Sequence, residues 1–137
     1  MMRLLRDARG VTAVEFALVA PVFLMFMFMI IDGAREVWTY QTLQQVATAS
    51  ARCAGLGTTG CDTSANVKSY AVAKANGFGV PLTASAVTLT TGATCQSMAN
   101  MTKVAITTSY QGATTKLLPS SLSTLTTESC FPTAPTT

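Results

Sequence analysis

Histidine is absent from the 137-residue chain. A Ser-His-Asp triad is therefore impossible, and the many zinc sites that use imidazole are excluded with it. No lysine stands at Ser-x-x-Lys spacing, so that route to an activated serine is missing as well. Charge is scarce: nine Lys and Arg and six Asp and Glu make up 11% of the residues. Beyond Glu36 the only acids are Asp62 and Glu128, and neither has a catalytic setting. An enzyme is not expected. Cysteine is limited to positions 53, 61, 95 and 130, without a Cys-x-x-Cys pair, so no structural metal and no cofactor is expected either. The formal charge of +3 falls to +1 once residues 1–10 are set aside, which leaves no electrostatic footprint for nucleic acid.

Apolar residues are plentiful and unevenly placed. From Val11 to Ile31 run 21 residues with one ionisable side chain, Glu15. At a rise of ~1.5 Å per residue, such a helix matches a hydrocarbon core of ~30 Å. The run is apolar all round, as expected of a surface facing membrane lipid; Met25, Met27 and Met29 belong to it and are not read as metal ligands. Arg3, Arg6 and Arg9 precede the run, offset by Asp7, whereas Arg35 beyond it stands beside Asp32 and Glu36. The positive-inside rule then keeps the N-terminus in the cytoplasm and sends residues 32–137 outward. A secretory signal would need a shorter apolar region and a small-x-small cleavage site. Ile30-Ile31-Asp32-Gly33-Ala34 is a poor match to that site.

Glu15 is the most informative residue of the run. A carboxylate about one turn inside the hydrocarbon edge is costly and needs a partner; for an acid at the centre the insertion scale is ~2.5–3.5 kcal/mol. On this chain alone the group sits at the interface, protonated or reaching towards Arg9. A short basic leader ending in Gly10, with glutamate as the fifth residue after it and an apolar helix beyond, resembles the class III signal of type IV pilins and pseudopilins. That resemblance implies cleavage after Gly10 by a membrane prepilin peptidase. Val11 would become the new N-terminus, and its α-ammonium would pair with Glu15 of a neighbouring subunit to set assembly register. Glycine at the cut suits an extended backbone in a tight cleft.

Gly10-Val11-Thr12-Ala13-Val14-Glu15-Phe16-Ala17-Leu18-Val19-Ala20-Pro21 is similar to the opening of TadE-like pseudopilins of the tight-adherence, or Flp, system. Their usual form is Gly-x-Ala-Ala-Val-Glu-Phe-Ala-Leu with a proline a few residues later. Thr12 departs from the common alanine or serine. The similarity continues to Ala49-Ser50-Ala51-Arg52 and covers about the first 55 residues; beyond them only the layout is alike.

Three regions follow: a leader at 1–10, a transmembrane half-helix at 11–31 and an exported domain at 32–137. The helix continues outward, because Val37, Tyr40, Leu43, Val46, Ala47, Ser50, Ala51 and Ala54 recur at three- and four-residue steps. One rod from Val11 to Ala54 is expected, stopped by Gly55 and Gly57, with a kink or local melting at Pro21 and a second weak point at Gly33. A short helix is expected over Asn66 to Ala75, with its N-cap among Asp62, Thr63 and Ser64. Period-two alternation then predicts strands at Ala86–Thr91 and Thr102–Tyr110 and a third at Ser121–Cys130, with a turn at Gln111-Gly112-Ala113, a loop anchored at Leu117-Leu118-Pro119 and a mobile tail from Phe131. The fold class is α+β: a long N-terminal transmembrane helix extending into a small exported domain with a second helix and a three-stranded antiparallel sheet, a layout that also resembles pilins.

Four cysteines beyond the span favour disulfides, with three connectivities open. The preferred pairing is Cys53–Cys61, closing the loop after the rod, with Cys95–Cys130 tying the strand connection to the C-terminal end. The Thr- and Ser-rich surface is read as a polar strand-and-loop surface, although Asn100-Met101-Thr102 is a formal glycosylation acceptor.

By resemblance the chain is a minor pilin or pseudopilin, working in assembly or initiation of a tight-adherence pilus with a role in surface adhesion. Its partners would be the prepilin peptidase, the platform proteins and assembly ATPase of that system, other pseudopilins and the major Flp pilin. It would reside in the bacterial inner membrane, with its domain periplasmic or extracellular, or within a surface pilus. The alternative is an unprocessed bitopic protein whose disulfide-stabilised domain binds an envelope partner or ligand.

Overall fold

The computed structural model describes residues 8–113 and 123–134, with side chains from Gly10 onward. Most of the leader, the Leu117-Leu118-Pro119 loop, the start of the expected third strand and the last three residues lie outside that range. The chain divides into two units, Met1–Arg35 and Glu36–Thr137.

The N-terminal unit carries the first part of α1, which spans Ala8–Leu56. Its apolar residues are exposed: Phe16 is 73% exposed, and Val11, Leu18, Phe23, Phe28 and Ile30 are exposed with it. This is one helix long and apolar enough to cross a membrane, with a mean hydropathy of 2.5 over its most apolar window. Pro21 lies inside α1, which stays helical through it and through Gly33. Proline lacks the N–H that would bond the carbonyl four residues back, a loss that neighbouring turns absorb here without a break.

The C-terminal unit contains the rest of α1, then α2 at Ser64–Gly77, and strands β1 at Val87–Cys95, β2 at Met98–Ser109 and β3 at Thr124–Pro132. The architecture is α+β, with an antiparallel sheet in the order β1-β2-β3. On α1 the buried stripe is Leu43, Val46, Ala47, Ser50 and Ala51, and on α2 it is Val67, Ala71 and Ala75. Both follow the three- and four-residue steps of a helix face. The expected stripe was drawn too far towards the N-terminus: Val37 is 57% and Tyr40 45% exposed, whereas Thr42, a polar residue outside it, is buried. From Val37 onward, burial along α1 begins at Thr42 and Leu43; further back, Asp32 is buried as well.

Alternation supplies the other layer. Val87 pairs with Ile106, Leu89 with Val104, Ile106 with Thr127, and Thr108 with Leu125. Val87, Val104, Ile106 and Leu125 point into the same cluster as Leu43, Val46 and Val67. Each fully buried Leu, Ile or Val contributes roughly 1.5–3 kcal/mol relative to leaving it in water. Two buried hydroxyls, Ser50 Oγ and Thr127 Oγ1, have no hydrogen-bond partner among the described residues. Desolvation of such a group costs about 1–3 kcal/mol.

Beyond α1, the element boundaries differ from the sequence expectation mainly at three places. Helix α2 begins after Thr63, whose hydroxyl accepts from the Asn66 N–H at 3.2 Å, and it runs two residues beyond Ala75 to Gly77. The first two strands extend to a two-residue hairpin at Gln96-Ser97, both with positive φ (48° and 70°), as a type I′ turn requires. Strand β3 continues to Pro132, so Phe131 and Pro132 belong to the sheet and not to a tail. Proline is tolerated there because it is the last residue of an edge strand.

Candidate functional site

The residues singled out for processing and assembly all lie on α1. Gly10 begins the run of described side chains, and Val11 and Glu15 stand four residues apart, on one face of the helix. Gly10 has open space where a Cβ would sit. Val11 is exposed at 60%, and Glu15 is exposed between Val11 and Thr12 on the turn before it and Leu18 and Val19 on the turn after. Among the described residues Glu15 has no salt-bridge partner; the Arg9 side chain lies outside them. The geometry is therefore a carboxylate on a mostly apolar helix surface. A group of this kind is satisfied by a cation brought by another molecule or by protonation.

The cysteines pair as Cys53–Cys61 and Cys95–Cys130, with Cα separations of 5.7 and 6.5 Å. The first closes the loop from α1 to α2. Gly57, with φ of +58°, ends the helix in the left-handed conformation, and its N–H donates to the Ala54 carbonyl at 3.2 Å. Thr58 then donates from its backbone to the Cys53 carbonyl at 3.4 Å, and the Cys61 N–H reaches the Thr58 carbonyl at 2.9 Å. Just past this bridge, Asp62 accepts from the Asn66 side chain at 2.7 Å. That bond, followed by backbone hydrogen bonds, holds the Asp62 carboxyl below its ordinary value.

The second bridge joins the two outer strands across β2. Register shifts between Thr90 and Ala93 and between Ala93 and Cys95 carry the end of β1 to that position. Gln44 of α1 donates to the Glu128 carbonyl of β3 at 3.2 Å, and Lys103 forms a salt bridge with Glu128 across the sheet.

Gly55 has a role that the sequence does not reveal. It was expected as a helix stop, but α1 runs on to Leu56 and the stop falls on Gly57. A Cβ on Gly55 would lie 2.7 Å from Phe131 Cδ1 and 2.9 Å from the Pro132 carbonyl oxygen. The Gly55 carbonyl accepts from the Ala134 N–H at 2.8 Å. Its missing side chain is where the end of β3 crosses α1. Two glycines at a helix end, where one suffices to stop it, are the available signal.

Among the described residues no three His, Cys, Asp or Glu side chains gather in a way that could hold a metal. The class of protein is thus an α+β fold whose first helix, long and apolar enough for a membrane, leads into a unit closed by two disulfides. Residues 10–52 match the family model of the TadE-like proteins. No curated protein and no solved structure matches the chain.

Proposed function

We propose that this chain is a minor pilin-like subunit of a tight-adherence pilus, structural and not catalytic, working in assembly or initiation and displaying its C-terminal unit outside the cytoplasm, where it takes part in surface adhesion. The observation that carries the reading is Glu15. It is the lone ionisable side chain in the apolar run, four residues after Val11, and it is exposed on the helix surface. Cleavage after Gly10 would create an α-ammonium on Val11, and the same residue of a neighbouring subunit would neutralise Glu15 inside hydrocarbon. The TadE-like match, which begins at Gly10, supports the same register. In this reading the prepilin peptidase, the platform proteins and ATPase, the other pseudopilins and the major pilin of that system are the partners. The N-terminus is cytoplasmic before cleavage.

The test is the intact mass of the membrane-extracted protein from hosts with and without an active prepilin peptidase. A chain starting at Val11 only where the peptidase is active is the expected result. A retained leader under both conditions would replace this reading with an unprocessed bitopic protein whose C-terminal unit binds an envelope partner.

Glu15→Ala separates registration from processing. The variant should still be cut after Gly10 and should remain in the membrane, because alanine lowers the cost of insertion. It should be lost from sheared surface filaments and from complexes cross-linked with other pilin-like subunits. Normal incorporation of Glu15→Ala would refute the pairing of Glu15 with the Val11 amine.

A further inference from the structure

Within the C-terminal unit an open groove of about 710 Å³ runs between α1, the Cys53–Cys61 loop and α2. Gln45, Arg52 and Leu56 line it from α1, and Tyr70, Lys74 and Phe78 face them from the second helix and its cap. Two large apolar side chains lie open in it, Leu56 at 48% and Phe78 at 46% exposure. No carboxylate is among the lining residues, so Arg52 and Lys74 present their charge unopposed. Lys103, by contrast, is already paired with Glu128.

The groove is also held in shape. Lys74 Nζ donates to the Tyr70 hydroxyl at 3.5 Å and lies 5.6 Å from the centre of its ring, which fixes the cation beside the aromatic side chain. Thr58, on the opposite rim, is bonded to the Cys53 carbonyl beside the disulfide. A preorganised surface loses less conformational freedom on binding. Tyrosine and arginine around an apolar centre are the residue types that carry binding energy at protein interfaces.

We propose that this groove docks an acidic segment of a partner protein, with an aliphatic or aromatic side chain against Leu56 and Phe78 and flanking carboxylates on Arg52 and Lys74. The open shape suits a chain segment better than an enclosed small molecule. The nearly neutral balance of the unit argues against a polyanion such as nucleic acid. Only the C-terminal unit is involved, so the proposal stands apart from leader processing and from the role of Glu15.

The test uses the full chain in neutral detergent micelles and a phage library of random 12-residue peptides. Enriched sequences should carry at least two Asp or Glu residues around a Leu, Phe or Trp. Synthetic versions should bind R52E/K74E about tenfold more weakly or worse, the scale of one lost charge-assisted contact. Phe78→Ala should weaken them too, and Lys68→Glu, on α2 but outside the groove, should leave them unchanged. Should R52E/K74E lose its far-UV circular dichroism, R52Q/K74Q makes the same comparison without reversing charge. The proposal is overturned by absence of enrichment, by enrichment of basic or neutral peptides, or by equal binding to the charge variants. It is equally overturned if the variants lose only attachment to phosphatidylglycerol vesicles, which would make the groove a lipid contact.

Discussion

Gly55→Ala should destabilise the C-terminal unit by about 1–2 kcal/mol, and Gly55→Val by more, although alanine is the better helix former. Two effects of opposite sign compete at this position. Alanine in a helix interior gains up to ~1 kcal/mol over glycine, and less in the last turn, where Gly55 sits. Against this, the new Cβ would lie 2.7 Å from Phe131 Cδ1 and 2.9 Å from the Pro132 carbonyl oxygen. The ring can rotate away. The carbonyl belongs to the end of β3, which the Ala134-to-Gly55 hydrogen bond ties to the same turn of α1, so relief requires the backbone to move. Overpacking of that kind costs typically ~1–3 kcal/mol, and the steric effect wins. For a unit of this size the fall in Tm is then roughly 5–15 °C. Gly77→Ala is the matched control: it lies at the end of α2, and nothing stands within 4 Å of its would-be Cβ. Thermal melts by circular dichroism in micelles should show Gly77→Ala unchanged or slightly higher and Gly55→Ala lower. If both variants behave alike, the close crossing of α1 and β3 is wrong.

What the sequence made legible was local. The apolar run, the helical step pattern from Leu43 to Ala51 and the alternation of Val87 with Leu89 and of Val104 with Ile106 each report one element's own period. The Gly10–Glu15 spacing is local in the same way. The hairpin at Gln96-Ser97 was not legible, because its left-handed φ values fall on residues that seldom adopt them, with no Asn-Gly or Asp-Gly to mark the turn. The register shifts around Gly92 and Ala93 then break the alternation over the second half of β1. Phe131-Pro132 read as part of the terminal tail, yet an edge strand's last residue can be a proline, since it can dispense with its donor. Gly55 and the groove depend on side chains from segments far apart in sequence, and no periodicity encodes such a meeting. The partner of Glu15, in the reading proposed here, belongs to another molecule.

Removal of the Cys95–Cys130 bridge by Cys95→Ser/Cys130→Ser should be the larger of the two disulfide losses. In the chain-entropy treatment a loop of 35 residues corresponds to about 3.8 kcal/mol, against about 2.5 kcal/mol for the 8-residue loop closed by Cys53–Cys61. The structure adds a local reason in the same direction. Gln96 and Ser97 carry positive φ, a conformation costing roughly 1–2 kcal/mol per residue for side chains of this kind, and Asn100 carries it as well. Cys95 adjoins this turn and anchors it to β3 across the central strand. Without the bridge, the hairpin tip has a relaxed alternative that the intact protein denies it. Cys53–Cys61, in contrast, spans a loop that backbone hydrogen bonds from Gly57, Thr58 and Cys61 also hold. Hydrogen exchange should therefore show lost protection in residues 93–101 and 129–132 for the first variant, and only in residues 53–63 for the second. Urea unfolding followed by circular dichroism should rank the first variant below the second. The opposite ranking would mean that the turn keeps its conformation unaided, and that the bridge merely decorates a sheet already held by its strand pairs.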